Sequence, residues 1–235
     1  MPNCKYIGIR ARNTDYVNKA IAEEQGAVVK GLTKQHGINA VAEHTFSLIL
    51  ALTKNVINSH KNVVEGRWRD NLSLNYELSN KKLGIIGHGD IGRRVAELGR
   101  AFGMEILIAG KKDGKKGEET LEEVLASSDV ISLHLPSKGN NKYISHEQLE
   151  VMKMDSILIN TARGSVLDYV ALEEQLHKGK FLGIGLDVFD AEPLQQSSLG
   201  KYSNVILSPH VAYMTHEALA SMNNELLINL QEFLN

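Results

Sequence analysis

The sequence is poor in cysteine, in long apolar runs and in charge of one sign. Its single cysteine, Cys4, excludes an internal disulfide framework and is typical of a reducing compartment. The most apolar long segment, FSLILAL, is far too short to cross a bilayer. A lysine interrupts the region where a signal peptide has its apolar core. The formal net charge of −2 gives no general attraction to nucleic acid or membranes. We therefore expect a cytoplasmic protein without a nucleic-acid or membrane partner.

Short apolar runs alternate with helical patterns along most of the 235 residues, a length sufficient for one large or two small domains. Strands are predicted at 5–9, 27–31, 82–87, 105–109, 129–134, 156–160, 181–187 and 204–207. Helices are predicted near 15–26, 38–58, 90–102, 118–127, 145–153, 167–179 and 215–234. Continuous apolar strands separated by helices indicate a parallel sheet covered on both faces. The predicted fold class is therefore α/β, with a doubly wound parallel sheet of the Rossmann type. The wide apolar surface of the 38–58 helix favours burial on more than one side.

A glycine-rich loop joins the strand at 82–87 to the next helix, in the strand–loop–helix setting that dinucleotide binding requires. Gly87 permits a tight turn, Gly89 allows a pyrophosphate to approach the main chain, and Gly92 allows close packing of helix and strand. Unpaired N–H groups at the helix start would face the anion. The alternative is a turn that serves packing alone, and we expect the histidine of the loop to be exposed. The residues of this loop, all predicted to contact the cofactor, are Gly87, His88, Gly89, Asp90, Ile91 and Gly92.

The stretch ILIAGKKDGKK ends the following strand and bears on the choice of cofactor. In dinucleotide-binding units this strand usually ends in an acid that binds the adenosine ribose hydroxyls. Here Gly110 takes that position, followed by Lys111, Lys112, Lys115 and Lys116. An acid would repel a 2′-phosphate, whereas a glycine makes room for it and lysines neutralise it. We predict a pocket that prefers NADP to NAD; the alternative is a solvated loop whose lysines touch nothing.

Three further stretches place polar side chains after predicted strands. INTARGSVLD contains Arg163, GLDVFDAEPL contains Asp187 and Glu192, and VILSPHVAYMTHEAL contains His210. All lie at carboxyl ends of predicted parallel strands, the edge where open α/β sheets bind ligands. Taken singly, each residue has a plainer explanation. Arg163 could form a surface ion pair, Asp187 could cap a helix or turn, Glu192 could be an exposed acid, and His210 could be a strand-end histidine. No His or Cys cluster has metal-ligand spacing, so we predict no metal.

With these landmarks the chain resembles the D-isomer-specific 2-hydroxyacid dehydrogenases. The matching segments are GIIGHGDIG, DVISLHLP, INTARGSVLD, GLDVFDAEPL and SPHVA, in that order, with AVAEHT upstream. The resemblance extends over essentially the whole chain. It implies an NAD(P)-dependent oxidoreductase that interconverts a small 2-keto acid and its D-2-hydroxy acid, with Arg163, Glu192 and His210 as the catalytic residues.

The chemistry of these three side chains suits those roles. Histidine titrates near neutral pH, so His210 can serve as general acid in one direction and base in the other. A carboxylate beside the ring, Glu192, would orient it and favour its protonated form. The guanidinium of Arg163 offers two parallel donors to the substrate carboxylate and polarises the carbonyl.

Other contacts are expected around this set. Asp187 is predicted to accept a hydrogen bond from the nicotinamide carboxamide and so fix the ring face. Tyr213 is predicted to line the pocket beside the substrate side chain, because HVAYMT is similar to a pattern of the D-lactate dehydrogenase branch. Arg163 and His210 are the other predicted substrate contacts. The lysine-rich loop instead resembles the glyoxylate/hydroxypyruvate reductases, so no single acid is chosen. For His134 a structural role is favoured. Further predicted neighbours of the cofactor are His134, Leu135, Pro136, Thr161 and Ala162, with Arg163 and His210.

Relative to the family, the sequence starts late, and we expect it to lack roughly 70 to 100 residues of the usual substrate domain. We predict a partial second domain: 1–37 as a remnant of the flavodoxin-like substrate domain, 38–213 as the dinucleotide-binding domain, and 214–235 as a C-terminal helix packing back toward the substrate domain. The 38–58 helix lies where family dimers form contacts, so a homodimer is expected.

The missing wall of the substrate cleft leaves two alternatives to an active enzyme. One is a dinucleotide-binding regulatory or scaffold protein of the same fold without turnover, and the other is an inactive fragment. The intact set of Arg163, Glu192 and His210 disfavours the regulatory protein.

Overall fold

The computed structural model describes residues 3–15, 17–109 and 119–235 of the chain. They divide into a larger unit, Val41–Ala212, and a smaller one made of the residues up to Ala40 together with Tyr213–Asn235. Strands β1 to β8 are Tyr6–Gly8, Val28–Lys30, Lys82–Ile86, Glu105–Ala109, Val130–Leu133, Ser156–Asn160, Phe181–Leu186 and Val205–Leu207. Helices α1 to α8 are Lys19–Glu24, Ile38–Thr53, Val56–Val64, Asp90–Ala101, Leu121–Ser127, His146–Val151, Tyr169–His177 and His216–Leu234.

The larger unit is built on a six-stranded sheet in the order β4-β3-β5-β6-β7-β8, with every neighbouring pair parallel. An isolated parallel bridge joins Ala109 to Glu119 beyond the β4 edge. From β3 the chain moves outward to β4 and then returns to the other side of β3 as β5. Ligands bind at such a reversal, outside the carboxyl ends of the strands. The predicted doubly wound parallel sheet is confirmed.

Both faces of this sheet are covered, which explains why its strands are apolar at consecutive positions. On one face, Leu83 and Ile85 pack with Phe46 of α2 and Val95 of α4. On the other face, side chains of β3, β5, β6 and β7 pack with α5, α6 and α7. They include Ile86, Ile131, Leu133, Leu158, Ile184 and Leu186. Nearly all of these side chains are fully buried, so burial on two sides accounts for the pattern.

The smaller unit joins segments that are far apart in the sequence. Strands β1 and β2 pair in parallel, and Tyr6 packs its ring 5.0 Å from that of Phe233 on α8. The carboxylate of Glu225 on α8 accepts hydrogen bonds from the backbone N–H and hydroxyl of Thr33, at 2.6 and 2.7 Å, and contacts His36 at 2.5 Å. These hydrogen bonds, above all the one from the backbone N–H of Thr33, lower the pKa of Glu225 to about 2. They outweigh burial, which by itself raises this pKa.

The prediction of one helix over 38–58 is wrong at its C-terminal end. Helix α2 ends at Thr53, Asn55 adopts a left-handed backbone with φ of 49°, and α3 begins at Val56. Asparagine is one of the few residues that tolerate this conformation, and its side chain accepts a hydrogen bond from Asn58 at 2.7 Å. The apolar face of α2 is buried within the larger unit, where Leu48 and Leu52 lie against Gly185 and Gly183 of β7. In the described part of the chain, no helix is both long and apolar enough to cross a bilayer.

Candidate active site

The glycine-rich loop lies at the switch point between β3 and β5, and its first and last glycines are required by contacts. Gly87 has a φ of +97°, and a Cβ there would stand 2.6 Å from the carbonyl oxygen of His134. A Cβ on Gly92 would stand 2.2 Å from the carbonyl oxygen of Gly87. Any larger side chain at either position would force the turn apart or push α4 away from β3.

The middle of this loop has the features of a phosphate cradle. A Cβ on Gly89 would meet no atom within 4 Å, so open space lies beside the main chain. Gly89 is also the N-cap of α4, and within the described part of the chain no side chain caps the helix start. The exposed Asp90 forms an ion pair with Arg93. The free N–H groups and the positive end of the helix dipole therefore fit the pyrophosphate of a dinucleotide. His88 is partly buried rather than exposed as predicted, and Ile91 packs against the core that contains Phe46.

The residues after β5 form the other side of the switch point. The N–H of His134 donates to the carbonyl of Ile86 at 2.8 Å, and its ring bonds to Ser132 at 2.9 Å. Burial lowers the pKa of His134 to about 3, so its ring is neutral at physiological pH. These contacts support a structural role for His134. A methyl group of Leu135 would lie 3.0 Å from a Cβ on Gly87, and the carbonyl of Pro136 accepts from Asn140 at 2.8 Å. Gly110, Lys111, Lys112, Lys115 and Lys116 lie outside the described residues.

The loop after β6 presents Arg163 on a rigid base. The fully buried Asn160 donates to the carbonyl of Arg163 at 3.0 Å and accepts from the N–H of Ala162 at 3.0 Å. Thr161 is buried and its hydroxyl contacts that of Thr45 at 2.9 Å. The guanidinium of Arg163 is exposed and donates to the carbonyl of Ala162 at 2.6 Å. Because its base is fixed and its head is accessible, Arg163 can bind an anion from solvent.

Gly164 brings the Arg163 loop against the loop that carries Glu192. A Cβ on Gly164 would stand 2.0 Å from the carbonyl carbon and oxygen of Phe189 and 2.5 Å from the nitrogen of Asp190. The two main chains therefore approach to a distance that only glycine permits.

Glu192 and His210 form a direct pair. Nδ1 of His210 lies 2.6 Å from a carboxylate oxygen of Glu192, and the other oxygen accepts from the N–H of Phe189 at 2.9 Å. Burial by itself raises the pKa of Glu192. The hydrogen bonds from His210 and Phe189, with the charges of His210 and Arg163, outweigh burial and hold the pKa below 4.5. An ionised acceptor requires Nδ1–H as the donor, so Nε2 is the nitrogen that exchanges the proton. The structure thus brings Arg163, Glu192 and His210 together.

Asp187 holds the turn that contains His210. The side chain of Asp187 is fully buried, and its oxygens accept hydrogen bonds from Ser208 at 2.6 Å, Val211 at 3.0 Å and Ala212 at 2.9 Å. Within the chain, Asp187 therefore caps a turn, and its contact with the nicotinamide carboxamide stays a prediction. His44 of α2 bonds to Ser208 at 2.9 Å.

The sequence analysis gives no role to Ser208 or His44. The position of His44 within an apolar helix is the one feature that could have indicated a buried polar contact. Tyr213 belongs to the smaller unit, beside Gly37, and its contact with the substrate stays a prediction. Within residues 3–15, 17–109 and 119–235, no three His, Cys, Asp or Glu side chains are grouped to hold a metal ion.

The sheet, the glycine cradle and the acid–base pair define a dinucleotide-binding oxidoreductase. A sequence model of the family "D-isomer specific 2-hydroxyacid dehydrogenase, NAD binding domain" matches residues 46–212. The chain is 35% identical to a glycerate dehydrogenase of Methylorubrum extorquens, over 99% of this chain and 77% of that protein. It is also 35% identical to a glyoxylate reductase of Thermococcus litoralis, over 99% of this chain and 74% of that protein.

A solved structure gives the same result. The D-lactate dehydrogenase of Aquifex aeolicus, crystallised with NAD and lactic acid, superposes with a TM-score of 0.84 and 34% identity, over 100% of this chain and 77% of that chain. This protein belongs to the D-isomer-specific 2-hydroxyacid dehydrogenase family. The predicted family, the oxidoreductase class and the use of a nicotinamide cofactor are confirmed.

Proposed function

We propose that this protein reduces small 2-keto acids such as glyoxylate and hydroxypyruvate to 2-hydroxy acids, with D configuration where the product has a stereocentre. The observation that carries the proposal is the 2.6 Å contact between Glu192 and His210, on the edge of the sheet that also presents Arg163. The glyoxylate reductase and glycerate dehydrogenase relatives support this substrate class.

Each catalytic residue has a separate task. The loop of Gly87, Gly89 and Gly92 would hold the reduced nicotinamide cofactor, which would supply the hydride chemistry at the carbonyl carbon of the keto acid. His210 gives the proton on Nε2 to the carbonyl oxygen, so that a C–H and an O–H bond form as the C=O π bond is lost. Glu192 orients the ring and stabilises its charge before transfer. Arg163 holds the substrate carboxylate and withdraws electron density from the carbonyl.

The proposal is tested by following oxidation of NADPH and NADH with glyoxylate, hydroxypyruvate, pyruvate and phenylpyruvate. We expect turnover that falls by at least about a hundredfold in His210→Ala, because proton transfer is lost. His177→Ala, at an exposed position on α7, is the matched control and retains activity. Chiral analysis uses the product of hydroxypyruvate or pyruvate, since reduced glyoxylate has no stereocentre.

Two results would contradict the proposal. Turnover that persists unchanged in His210→Ala would remove His210 from the mechanism. Tight dinucleotide binding without turnover on any of the four acids would indicate a regulatory protein of the same fold instead.

The cofactor is proposed to be NADP rather than NAD. The support is chemical: Gly110 replaces the usual acid, and four lysines follow within six residues. We expect a higher kcat/KM with NADPH than with NADH, and a selective loss with NADPH in the double variant Lys111→Ala, Lys112→Ala. Lys138→Ala, at an exposed position after β5, is the control. A preference for NADH in the unmodified protein would overturn this assignment.

A homodimer is also proposed, although its support differs from that given by the sequence. The apolar face of α2 is buried in its own unit, whereas α3 and the segment after it expose large apolar side chains. Val64 is 69% exposed, Trp68 69% and Leu74 89%. Such a patch is a candidate interface. In sedimentation at micromolar concentration, Val64→Lys should dissociate the dimer, and Val170→Lys on α7, also 69% exposed, should not. A monomeric unmodified protein would refute the proposal.

A further inference from the structure

A polar cluster of His44, Ser208 and Asp187 lies beside the proposed catalytic pair. Two of its members, His44 and Ser208, have no assigned task. Nε2 of His44 lies 2.9 Å from the hydroxyl of Ser208 and 3.5 Å from a carboxylate oxygen of Asp187. The His44 side chain is 24% exposed and that of Asp187 is 1% exposed. Helix α2 thus supplies the outermost member of a chain of hydrogen bonds that ends on a buried carboxylate.

The protons of this cluster can be assigned from its contacts. The hydroxyl of Ser208 has one proton, and it donates that proton to Asp187 at 2.6 Å. The same hydroxyl can then only accept from His44, so Nε2 of His44 carries a proton and donates it. The arrangement is not a hydrolytic triad. In such a triad the carboxylate binds the histidine, whereas the carboxylate of Asp187 accepts a hydrogen bond from Ser208.

The carboxylate at the end of the chain fixes the backbone of the proposed catalytic turn. Asp187 accepts from the N–H groups of Val211 at 3.0 Å and Ala212 at 2.9 Å, and its own carbonyl accepts from the N–H of His210 at 2.8 Å. His210 has a φ of 55°, the left-handed region that a residue with a side chain rarely adopts. Such a conformation persists only when surrounding contacts determine it.

We propose that His44 is a positioning residue: through Ser208 and Asp187, its N–H holds the turn that aims His210 at the substrate. This inference rests on the proposed function for its effect on turnover. Loss of the His44 donor leaves the Ser208 hydroxyl with one partner fewer and weakens the compensation of a buried charge. The turn then relaxes, and His210 spends less time in the geometry for proton transfer.

The test separates the hydrogen bond of His44 from its volume. His44→Gln keeps an N–H donor, whereas His44→Phe keeps a ring of similar size without a donor. We expect kcat to fall about tenfold in His44→Phe and to be largely retained in His44→Gln, with KM little changed in both. Ser208→Ala should cause a similar loss, and the double variant His44→Phe, Ser208→Ala should lose little more than either alone. The same two exchanges at His177, at an exposed position on α7, are the controls.

A second readout is independent of turnover. Hydrogen exchange of the cofactor-free protein should accelerate at 208–212 in His44→Phe, remain slow there in His44→Gln, and stay unchanged at strand β6 in both. If the unmodified protein has no activity, the proposed function fails, and this exchange pattern still decides whether His44 holds the turn. Unchanged exchange at 208–212 in His44→Phe would overturn the inference. Equal losses in both variants with faster exchange throughout the sheet would also overturn it, since packing alone would then explain the effect.

Discussion

Replacing Gly164 by alanine tests whether the spacing of two loops sets the rate of the proposed reaction. The added Cβ would stand 2.0 Å from the main chain of Phe189, and Cβ contacts under 3.0 Å are essentially never seen. The two loops must therefore separate by at least about 1 Å. The N–H of Phe189 holds the carboxylate of Glu192 at 2.9 Å, so the displacement reaches the acid–base pair directly.

The size of the effect follows from this displacement. A misplacement of about 1 Å in a catalytic group costs about a hundredfold in rate. Overpacking of this kind also destabilises by about 1 to 3 kcal/mol, which a folded domain of this size can tolerate. We therefore expect Gly164→Ala to be folded, with a lower melting temperature and a kcat reduced about a hundredfold.

The assay is steady-state reduction of glyoxylate with the better cofactor, together with thermal unfolding. Gly200→Ala is the matched control, because a Cβ on Gly200 would meet no atom within 4 Å; it should match the unmodified protein in both measurements. A folded Gly164→Ala variant with unchanged kcat would refute the reasoning, since it would mean that the loops move apart without disturbing the pair.

Three further predictions concern the acid–base pair, acid stability and cofactor binding. Glu192→Gln removes the charge that stabilises the imidazolium of His210 before proton transfer, so kcat for reduction should fall by at least about tenfold; an unchanged kcat would contradict this. The pKa of Glu225 is about 2, below its ordinary 4.5. Its stabilisation is therefore fully present above pH 4.5 and is lost as the pH falls toward 2. The melting temperature of Glu225→Gln should accordingly depend less on pH in that window, whereas Glu232→Gln, in a pair whose acid is 62% exposed, should behave like the unmodified protein. Gly87→Ala should weaken cofactor binding about tenfold in a fluorescence titration, and Gly139→Ala, with a similar φ of +79° but no atom within 4 Å, should bind normally.

Much of the larger unit could be predicted because local pattern and burial agree there. Strand β6, for example, is apolar from Ile157 to Ile159 and fully buried, and its predicted bounds match the structure. The end of α2 could not be predicted, because the break depends on one left-handed residue, Asn55. The pattern of the sequence continues smoothly through that position.

The candidate site was predictable as a set of residue types, but its connections were not. Arg163 and His210 could be placed on one edge by the rule for parallel strands. That Gly164 must be glycine depends on a contact with Phe189 across two loops. The hydrogen bonds that Asp187 accepts depend on which backbone N–H groups a turn directs toward it. Such contacts arise from tertiary geometry, which no spacing in the sequence encodes.

The contact between Glu225 and Thr33 spans 192 positions along the chain, and this has a consequence for biosynthesis. Thr33 leaves the ribosome well before its acceptor on α8, because 192 positions of the chain separate them. The intervening sheet can form in the meantime, because its contacts lie within Val41–Ala212. The segment that contains Thr33 therefore reaches its native packing only after α8 has been made, and until then it depends on chaperone protection.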